Sequence, residues 1–243
     1  MITVSDKGLT AKQIARIEPK TPKNAGSRWK PIPHGELVHT LKEEIADRGW
    51  DIDREMYATA EDGANMTGAF LLSGVKGPRI PKGLQLAMGF LNSNSRRYAL
   101  QVTVGAEVAV CRNGICTGSI VLSRIHDHTV NLPNEVSEGV DRFVTEAKGI
   151  PLVVRGLKQA RLSDGDASEI LLEAGRRNLV GWTAIGRVDA EYRNPTYPEH
   201  GKGTAWALLN AFTFAARPSI NPTRQMEIFN TFRGLLPGGV DLN

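Results

Sequence analysis

The sequence predicts an α+β fold, in which an antiparallel sheet from the N-terminal and middle part of the chain is followed by C-terminal helices packed on it. Two observations carry this prediction. Residues 51 to 125 contain short extended runs, rich in apolar residues and separated by glycines and prolines. After residue 133 the apolar residues recur at helical spacing instead. Strands first and helices afterwards are typical of α+β proteins.

An amphipathic helix and a hairpin open the predicted fold. From Gly35 to Gly49 apolar side chains recur every three or four positions, and the second glycine ends the pattern. Two extended runs then flank Asp62-Gly63, a dipeptide that is typical of tight hairpin turns. We therefore expect a helix followed by the first two strands.

Four further extended runs complete the predicted sheet. Gly105-Ala106 is predicted to close a turn between two of them, because apolar and polar residues alternate up to that dipeptide. The runs cover residues 84–91, 98–104, 107–111 and 120–125.

The remainder of the chain is predicted to be mainly helical. An amphipathic helix follows Pro133 and is interrupted at Pro151. Ser163, with Asp166 three residues later, resembles a capping box and predicts the start of the next helix. Residues 182–201 are expected to be partly looped, and helices are expected at 203–217 and 222–239.

The predicted domain organisation is simple. Residues 1–27 are polar and contain two prolines, so we expect a flexible N-terminal arm, followed by a single α+β domain at 28–243. No apolar run approaches the roughly 20 residues that a membrane span needs, and two cysteines do not make a disulfide framework. These observations predict a cytoplasmic protein without a membrane partner.

Charge is unevenly distributed along the chain. From residue 76 to 124 there are seven basic residues and one acid, Glu107, whereas acids outnumber bases nine to five from 127 to 173. A basic middle section predicts a positive surface that could bind nucleic acid, although ordinary solvated charge is the alternative interpretation.

The segment NSNSRRY, at 92–98, is the centre of the predicted nucleic-acid contact. Arginine binds phosphate, small polar side chains hydrogen-bond phosphates or bases, and a tyrosine can stack on a base. The alternative is a polar turn with solvated arginines. The predicted contact residues are Lys76, Arg79, Lys82, Asn92, Ser93, Asn94, Arg96, Arg97, Tyr98, Arg112 and Arg124.

A zinc site is a further hypothesis for residues 110–132. Cys111 and Cys116 are followed by His126 and His128, and a His-x-His pair on a strand places both rings on one face. Structural zinc usually takes two compact ligand pairs, so the favoured interpretation is a buried cysteine and hydrogen-bonded histidines, with no resident metal and no cofactor.

Two other function classes stay open from the residues alone. Cys111 with His128 could form a thiol–imidazole pair, with Asn113 or Asn210 orienting the ring. No phosphate-binding loop, dinucleotide fingerprint or serine-hydrolase motif accompanies that pair. An apolar stripe in the last helix would suit either the core or a homo-oligomer interface.

Several short motifs occur together in an order that resembles a known family. They are WKPIPHGEL, FLNSNSRRYAL, VAVCRNG, RIHDHT, LSDGDASEILLEA and GTAWALLNAFT. The chain resembles an uncharacterised family of phage- and plasmid-borne proteins over residues 28–235. The resemblance implies a mobile-element origin and supplies no catalytic mechanism. The motif residues are Cys111, Asn113, His128, Thr129, Trp206 and Asn210.

Together these observations predict a phage- or plasmid-encoded protein that binds nucleic acid without catalysis. Single-stranded DNA is the expected partner, in strand protection or annealing during replication or recombination, with possible assembly into a homo-oligomer. The second interpretation is a mobile-element factor that binds and modulates a host protein in counter-defence. The third is an enzyme with a Cys–His centre.

Overall fold

The computed structural model describes residues 8–74, 80–108 and 113–215, together with residues 232, 234 and 236. Over these residues the predicted fold class is confirmed: an antiparallel sheet is followed by helices. The strands are β1 (Asp51–Ala60), β2 (Asn65–Ser73), β3 (Leu84–Ser93), β4 (Leu100–Val108) and β5 (Asn113–Arg124). The helices are α1 (Ala11–Ala15), α2 (His34–Asp47), α3 (Leu132–Ala147), α4 (Ile150–Gln159), α5 (Asp164–Arg176), α6 (Trp182–Arg193) and α7 (Ala205–Ala215), with a 3-10 turn at Pro198–His200.

The sheet is a simple meander in which each strand pairs with the next, in the order β1-β2-β3-β4-β5. The predicted hairpin at Asp62-Gly63 is confirmed, because β1 and β2 are antiparallel and joined by residues 61–64. Glu61, Asp62 and Gly63 adopt φ values of 53°, 51° and 82°. Left-handed backbone at successive turn residues suits the right-handed twist of the strands that it joins.

One face of the sheet carries an aromatic cluster that organises the core. The Phe70 and Phe90 rings lie 4.8 Å apart, and the fully buried Tyr57 ring meets both at 6.2 Å. Phe90 fits because its partner across the ladder is Gly68, which leaves the space that the ring occupies. Alternate residues of β3 therefore point into the core.

Helices α2 and α3 pack against each other, and α3 also packs against β4 and β5. Arg48, at the end of α2, joins the two helices: its guanidinium donates to Asp141 at 2.8 Å and to the Ser137 carbonyl at 3.0 Å. Trp50 and Phe143 meet edge to face, 6.2 Å apart, in the same region.

Most helix predictions are confirmed. Helix α2 covers the predicted segment, and α3 and α4 are separated close to Pro151, which lies in the first turn of α4. The capping box of α5 is present: the Asp166 amide donates to the Ser163 hydroxyl at 3.1 Å, and the Ser163 amide donates to the Asp166 carboxylate at 2.8 Å. The helix predicted at 222–239 falls largely outside the described residues.

One prediction is wrong. Strand β4 continues through Gly105-Ala106, where a turn was predicted, because both residues pair with β3 and Ala106 is buried in the core. The prediction that residues 182–201 are partly looped is confirmed: residues 194–201 are a loop with a 3-10 turn at Pro198–His200, and residues 182–193 form α6. Its buried residues Ala184, Val188 and Tyr192 recur every four positions, so the helical spacing was present in the sequence.

The segment predicted as a flexible arm is docked over its described part, residues 8–27. Ile14 is fully buried, and the Leu9 amide donates to the Tyr57 carbonyl at the edge of β1. Thr10 and Gln13 form a capping box around the start of α1.

Within the described residues, none of the helices combines the length and the apolar character that crossing a membrane requires.

The contact between Gly68 and Phe90 generates a stability prediction. A Cβ at position 68 would lie 2.1 Å from Phe90 Cε2, and the surrounding aromatic cluster prevents that ring from moving away. We expect Gly68→Ala to lower the free energy of unfolding by about 2 kcal/mol, measured by urea denaturation. In the control Gly186→Ala, on exposed α6, the new methyl meets nothing within 4 Å, so a gain of about 0.5 kcal/mol is expected. Equal effects would contradict this account.

Candidate nucleic-acid interface

Two loops meet at one end of the sheet, and their backbone is unusual. The β1–β2 turn (61–64) and the β3–β4 loop (94–99) are joined by a hydrogen bond from the Asn94 amide to the Ala64 carbonyl, at 2.7 Å. Of the four non-glycine residues with positive φ in the described chain, Glu61, Asp62 and Arg96 lie here. Such backbone strain clusters at functional sites, which makes this loop end a candidate site.

A buried polar network lies beneath the loop end, centred on Asn92. The Asn92 amide nitrogen donates to the Ile32 carbonyl and to His34 Nδ1, both at 2.8 Å, and its oxygen accepts from His126 Nε2 at 2.8 Å. His34 Nε2 in turn donates to the Gly63 carbonyl at 2.8 Å. Each histidine therefore has a defined role in holding the loops.

The two histidines of this network, His34 and His126, are neutral at physiological pH. Burial lowers the pKa of His126 to about 4, with a smaller contribution from the neighbouring His34 ring. Burial also lowers the pKa of His34, partly offset by its hydrogen bond to Gly63. A neutral imidazole has one donor and one acceptor nitrogen, and His34 uses both in this network.

Asn94 and Ser93 extend the network on either side of Asn92. The Asn94 side chain pairs with both backbone groups of Ile32: its oxygen accepts from the amide and its nitrogen donates to the carbonyl, each at 3.0 Å. The Ser93 hydroxyl donates to Asn65 Oδ1 at 2.6 Å and accepts from the Arg97 amide at 2.9 Å.

The structure therefore places three of the predicted contact residues inside the protein. Asn92, Ser93 and Asn94 are at most 1% exposed, and their side chains bond to other parts of the chain. Strand β3 runs two residues beyond Leu91, so Asn92 shares the core face with Phe90. The residues hold the site together, and in this conformation they present no side chain to a ligand.

Beside this network lies a basic segment, most of which was predicted to belong to a flexible arm. We call residues 16–30 the basic strap. It contains five exposed cations and one acid, Glu18, and within the described chain none of the five forms a salt bridge. The cations are Arg16, Lys20, Lys23, Arg28 and Lys30. The density of lysine and arginine in this segment was the signal that could have identified it.

The strap is attached on two sides. Arg96, from the β3–β4 loop, donates to the Asn24 carbonyl at 2.5 Å. From the β5–α3 loop, the His128 amide donates to the Arg28 carbonyl at 2.9 Å, and His128 Nδ1 lies 3.2 Å from the same oxygen. Arg96 is exposed and adds a sixth cation beside the strap.

The other predicted cations are distributed differently. Arg97 pairs with Glu61 at 2.5 Å, and Arg124 pairs with Glu135, so acids offset both charges locally. Lys82 precedes β3 and therefore lies at the opposite end of that strand. Lys76, Arg79 and Arg112 lie outside the described residues.

Tyr98, the predicted stacking residue, is half-buried in the β3–β4 loop. Burial raises the pKa of its hydroxyl, which is hydrogen-bonded to Thr67 on β2. The ring thus lies over the sheet, and only part of it faces solvent.

Among the residues that the structure describes, the motif residues of α7 and those of the β5–α3 loop lie in separate elements. Trp206 and Asn210 are buried in α7, where the side-chain nitrogen Nδ2 of Asn210 donates to the Trp206 backbone carbonyl at 2.8 Å. Thr129 forms a turn in which its amide donates to Asp127 at 2.9 Å. Asn113 begins β5, and Cys111 lies outside the described residues, so the proposed Cys–His pair with His128 stays a prediction.

The two histidines considered for zinc do not share a face. Strand β5 ends at Arg124, before either histidine, so the two-residue alternation of a strand does not apply to them. His126 is 3% exposed and bonded to Asn92, whereas His128 lies at the surface. Among the residues that the structure describes, no group of three or more His, Cys, Asp or Glu side chains is arranged to hold a metal ion.

The centrality of Asn92 can be tested. Asn92→Ala would leave His34 Nδ1 and His126 Nε2 buried without their partner, so we expect the free energy of unfolding to fall by about 3 kcal/mol. Asn134→Ala is the matched control, because that side chain is exposed on α3; we expect a change below about 0.5 kcal/mol. Urea denaturation measures both. A loss below 1 kcal/mol for Asn92→Ala would argue against the network as an anchor.

The neutral state of His126 predicts how stability depends on pH. Its folded pKa of about 4 lies below the ordinary 6.5, so between these values the unfolded chain binds a proton that the folded protein excludes. Stability is therefore complete above pH 6.5 and falls by about 3 kcal/mol as pH drops to 4. His126→Gln, which keeps a donor for Asn92, should show a shallower decline in urea midpoints over this range. Parallel curves for the two proteins would refute the assignment.

Comparison with known proteins gives a family and no function. No curated protein and no solved structure matches the chain. The model of one family, described as a domain of unknown function and designated DUF932, matches residues 23–225. The match includes most of the strap, the whole sheet and helices α2 to α7. The chain therefore belongs to the DUF932 family.

Proposed function

We propose that this protein is a non-catalytic DNA-binding protein of a phage or plasmid, and that it holds single-stranded DNA by the backbone at the basic strap. The observation that carries the proposal is the docking, beside Arg96, of five exposed cations that form no salt bridge within the described residues. A chain of phosphates is the ligand that such a surface attracts, because each cation that meets a phosphate releases a condensed counterion.

The docking of the strap favours DNA binding in addition to its charge. A mobile basic segment loses conformational entropy when it binds, whereas a segment that is already held loses less. The hydrogen bonds of Arg96 to Asn24 and of His128 to Arg28 restrain the strap backbone, and those of Asn94 hold Ile32, two residues beyond the strap. The backbone that carries the cations is therefore held in place before DNA arrives.

On this proposal, some of the predicted contact residues face the DNA and others support that surface from inside the protein. Arg96 belongs to the strap surface, while Asn92, Ser93 and Asn94 support it from inside. Arg97 has a carboxylate partner that phosphate would have to displace, so its contribution to DNA binding is smaller.

The cellular role that follows is strand protection or annealing in the cytoplasm during mobile-element replication or recombination. Self-assembly on DNA is a further property to measure.

Removing charge from the strap tests the proposal. In the triple variant Lys23→Ala, Arg28→Ala, Lys30→Ala we expect single-stranded DNA to bind at least tenfold more weakly at low salt. The slope of log affinity against log salt should flatten by about 2, since each phosphate contact in a single strand contributes about 0.7. Fluorescence anisotropy of a labelled oligonucleotide at several salt concentrations measures both quantities.

A matched control distinguishes the loss of strap cations from a general decrease in the positive charge of the protein. The triple variant Arg155→Ala, Arg187→Ala, Lys202→Ala removes three exposed cations from the helical part of the chain, and none of these forms a salt bridge within the described residues. It should bind like the parent. Equal losses in both variants would show general attraction without a site. If the parent binds neither single- nor double-stranded DNA at low salt, the proposal fails and a host protein becomes the candidate partner.

A further inference from the structure

Trp29 lies near the C-terminal end of the basic strap, between the exposed residues Arg28 and Lys30. Its ring packs on the buried His126 ring, with centroids 5.8 Å apart and planes tilted by 33°. A turn also restrains its backbone, because the Trp29 amide donates to the Gly26 carbonyl at 3.0 Å. The indole is half-buried, so part of its surface is backed by protein and part faces solvent.

We propose that Trp29 is a stacking platform for a base of single-stranded DNA, an inference that rests on the proposed function and assigns a ligand group to the same surface. The cations hold the phosphates, and the indole receives one unpaired base between them. The combination of a cationic groove and an aromatic platform binds single strands with little sequence preference, because every base offers a π face.

The position of Trp29 distinguishes it from the other tryptophans. Trp50 and Trp206 are 6% and 4% exposed and belong to the core. Trp182 is 58% exposed but lies at the start of α6, packed over Gly175. Among the tryptophans, only Trp29 is partly exposed and directly flanked in sequence by two exposed cations, Arg28 and Lys30, which form no salt bridge in the described chain.

The backing by His126 explains how an exposed indole stays in place. His126 is held by Asn92, which is bonded to Ile32 three residues beyond Trp29. The platform and the strap are therefore anchored by the same buried amide. A base that stacks on a ring already held loses less of its binding energy to ordering the protein.

The experiment compares two ligands with the same phosphates, an oligothymidylate of about 15 nucleotides and an abasic strand of equal length. The protein carries Trp182→Phe, so that Trp29 supplies the solvent-sensitive emission. We expect oligothymidylate to quench the emission and to bind about tenfold more tightly than the abasic strand. A duplex of equal length should bind without quenching, since its bases are already stacked.

Substitutions at position 29 complete the test. Trp29→Ala should abolish the preference for oligothymidylate over the abasic strand, and Trp29→Phe should retain most of it, because the phenyl ring still stacks. Circular dichroism and urea midpoints establish that each variant is folded, since the alanine removes the contact with His126.

The outcomes separate this inference from the function on which it rests. Salt-sensitive binding of both strands with equal affinity, unchanged emission and no effect of Trp29→Ala would overturn the platform and leave DNA binding intact. Binding of neither strand would overturn both. A preference that disappears only with Trp29→Ala and persists in Trp29→Phe supports the platform.

Discussion

The side-chain amide of Asn92 is the interaction on which the loop end depends. It joins three segments that are distant in sequence: the entry to α2 through Ile32 and His34, strand β3, and the β5–α3 loop through His126. Every polar atom of this amide has a partner inside the protein. Buried polar groups specify a unique arrangement when all members of a network are satisfied, and they are costly when one is missing. The exposed surface above this network is organised because the network beneath it is complete.

The strap is attached by one charged side chain, Arg96, and otherwise by uncharged groups, whereas its own surface is charged. Five cations within a short segment repel one another, so their docking must be stabilised by other interactions. Ile14 and Ile32 bury apolar surface, and Asn92 and Asn94 bind the backbone of Ile32. Salt screens exposed charges far more than buried neutral hydrogen bonds. The strap is thus expected to stay docked at salt concentrations that weaken a phosphate contact.

The elements predicted successfully are those with a local cause. Helix α2 follows from its apolar spacing, the β1–β2 hairpin from Asp62-Gly63, and the start of α5 from Ser163 and Asp166, whose capping bonds span three residues. The turn predicted at Gly105-Ala106 was wrong, and its cause is non-local. Gly105 lies in the interior of β4 because β3 pairs with it on one side and β5 on the other, and this pairing overrides the turn preference of glycine.

The sequence by itself determined the fold class, the order of strands and helices, and the excess of cations at residues 76–124. Only the tertiary structure decided which polar residues lie inside and which cations are free. The hydrogen bond from Asn92 to Ile32 spans 60 residues and that from His126 to Asn92 spans 34. A local sequence pattern cannot predict contacts between segments this far apart. Whether Asn92 is buried depends on which distant segments cover the end of β3.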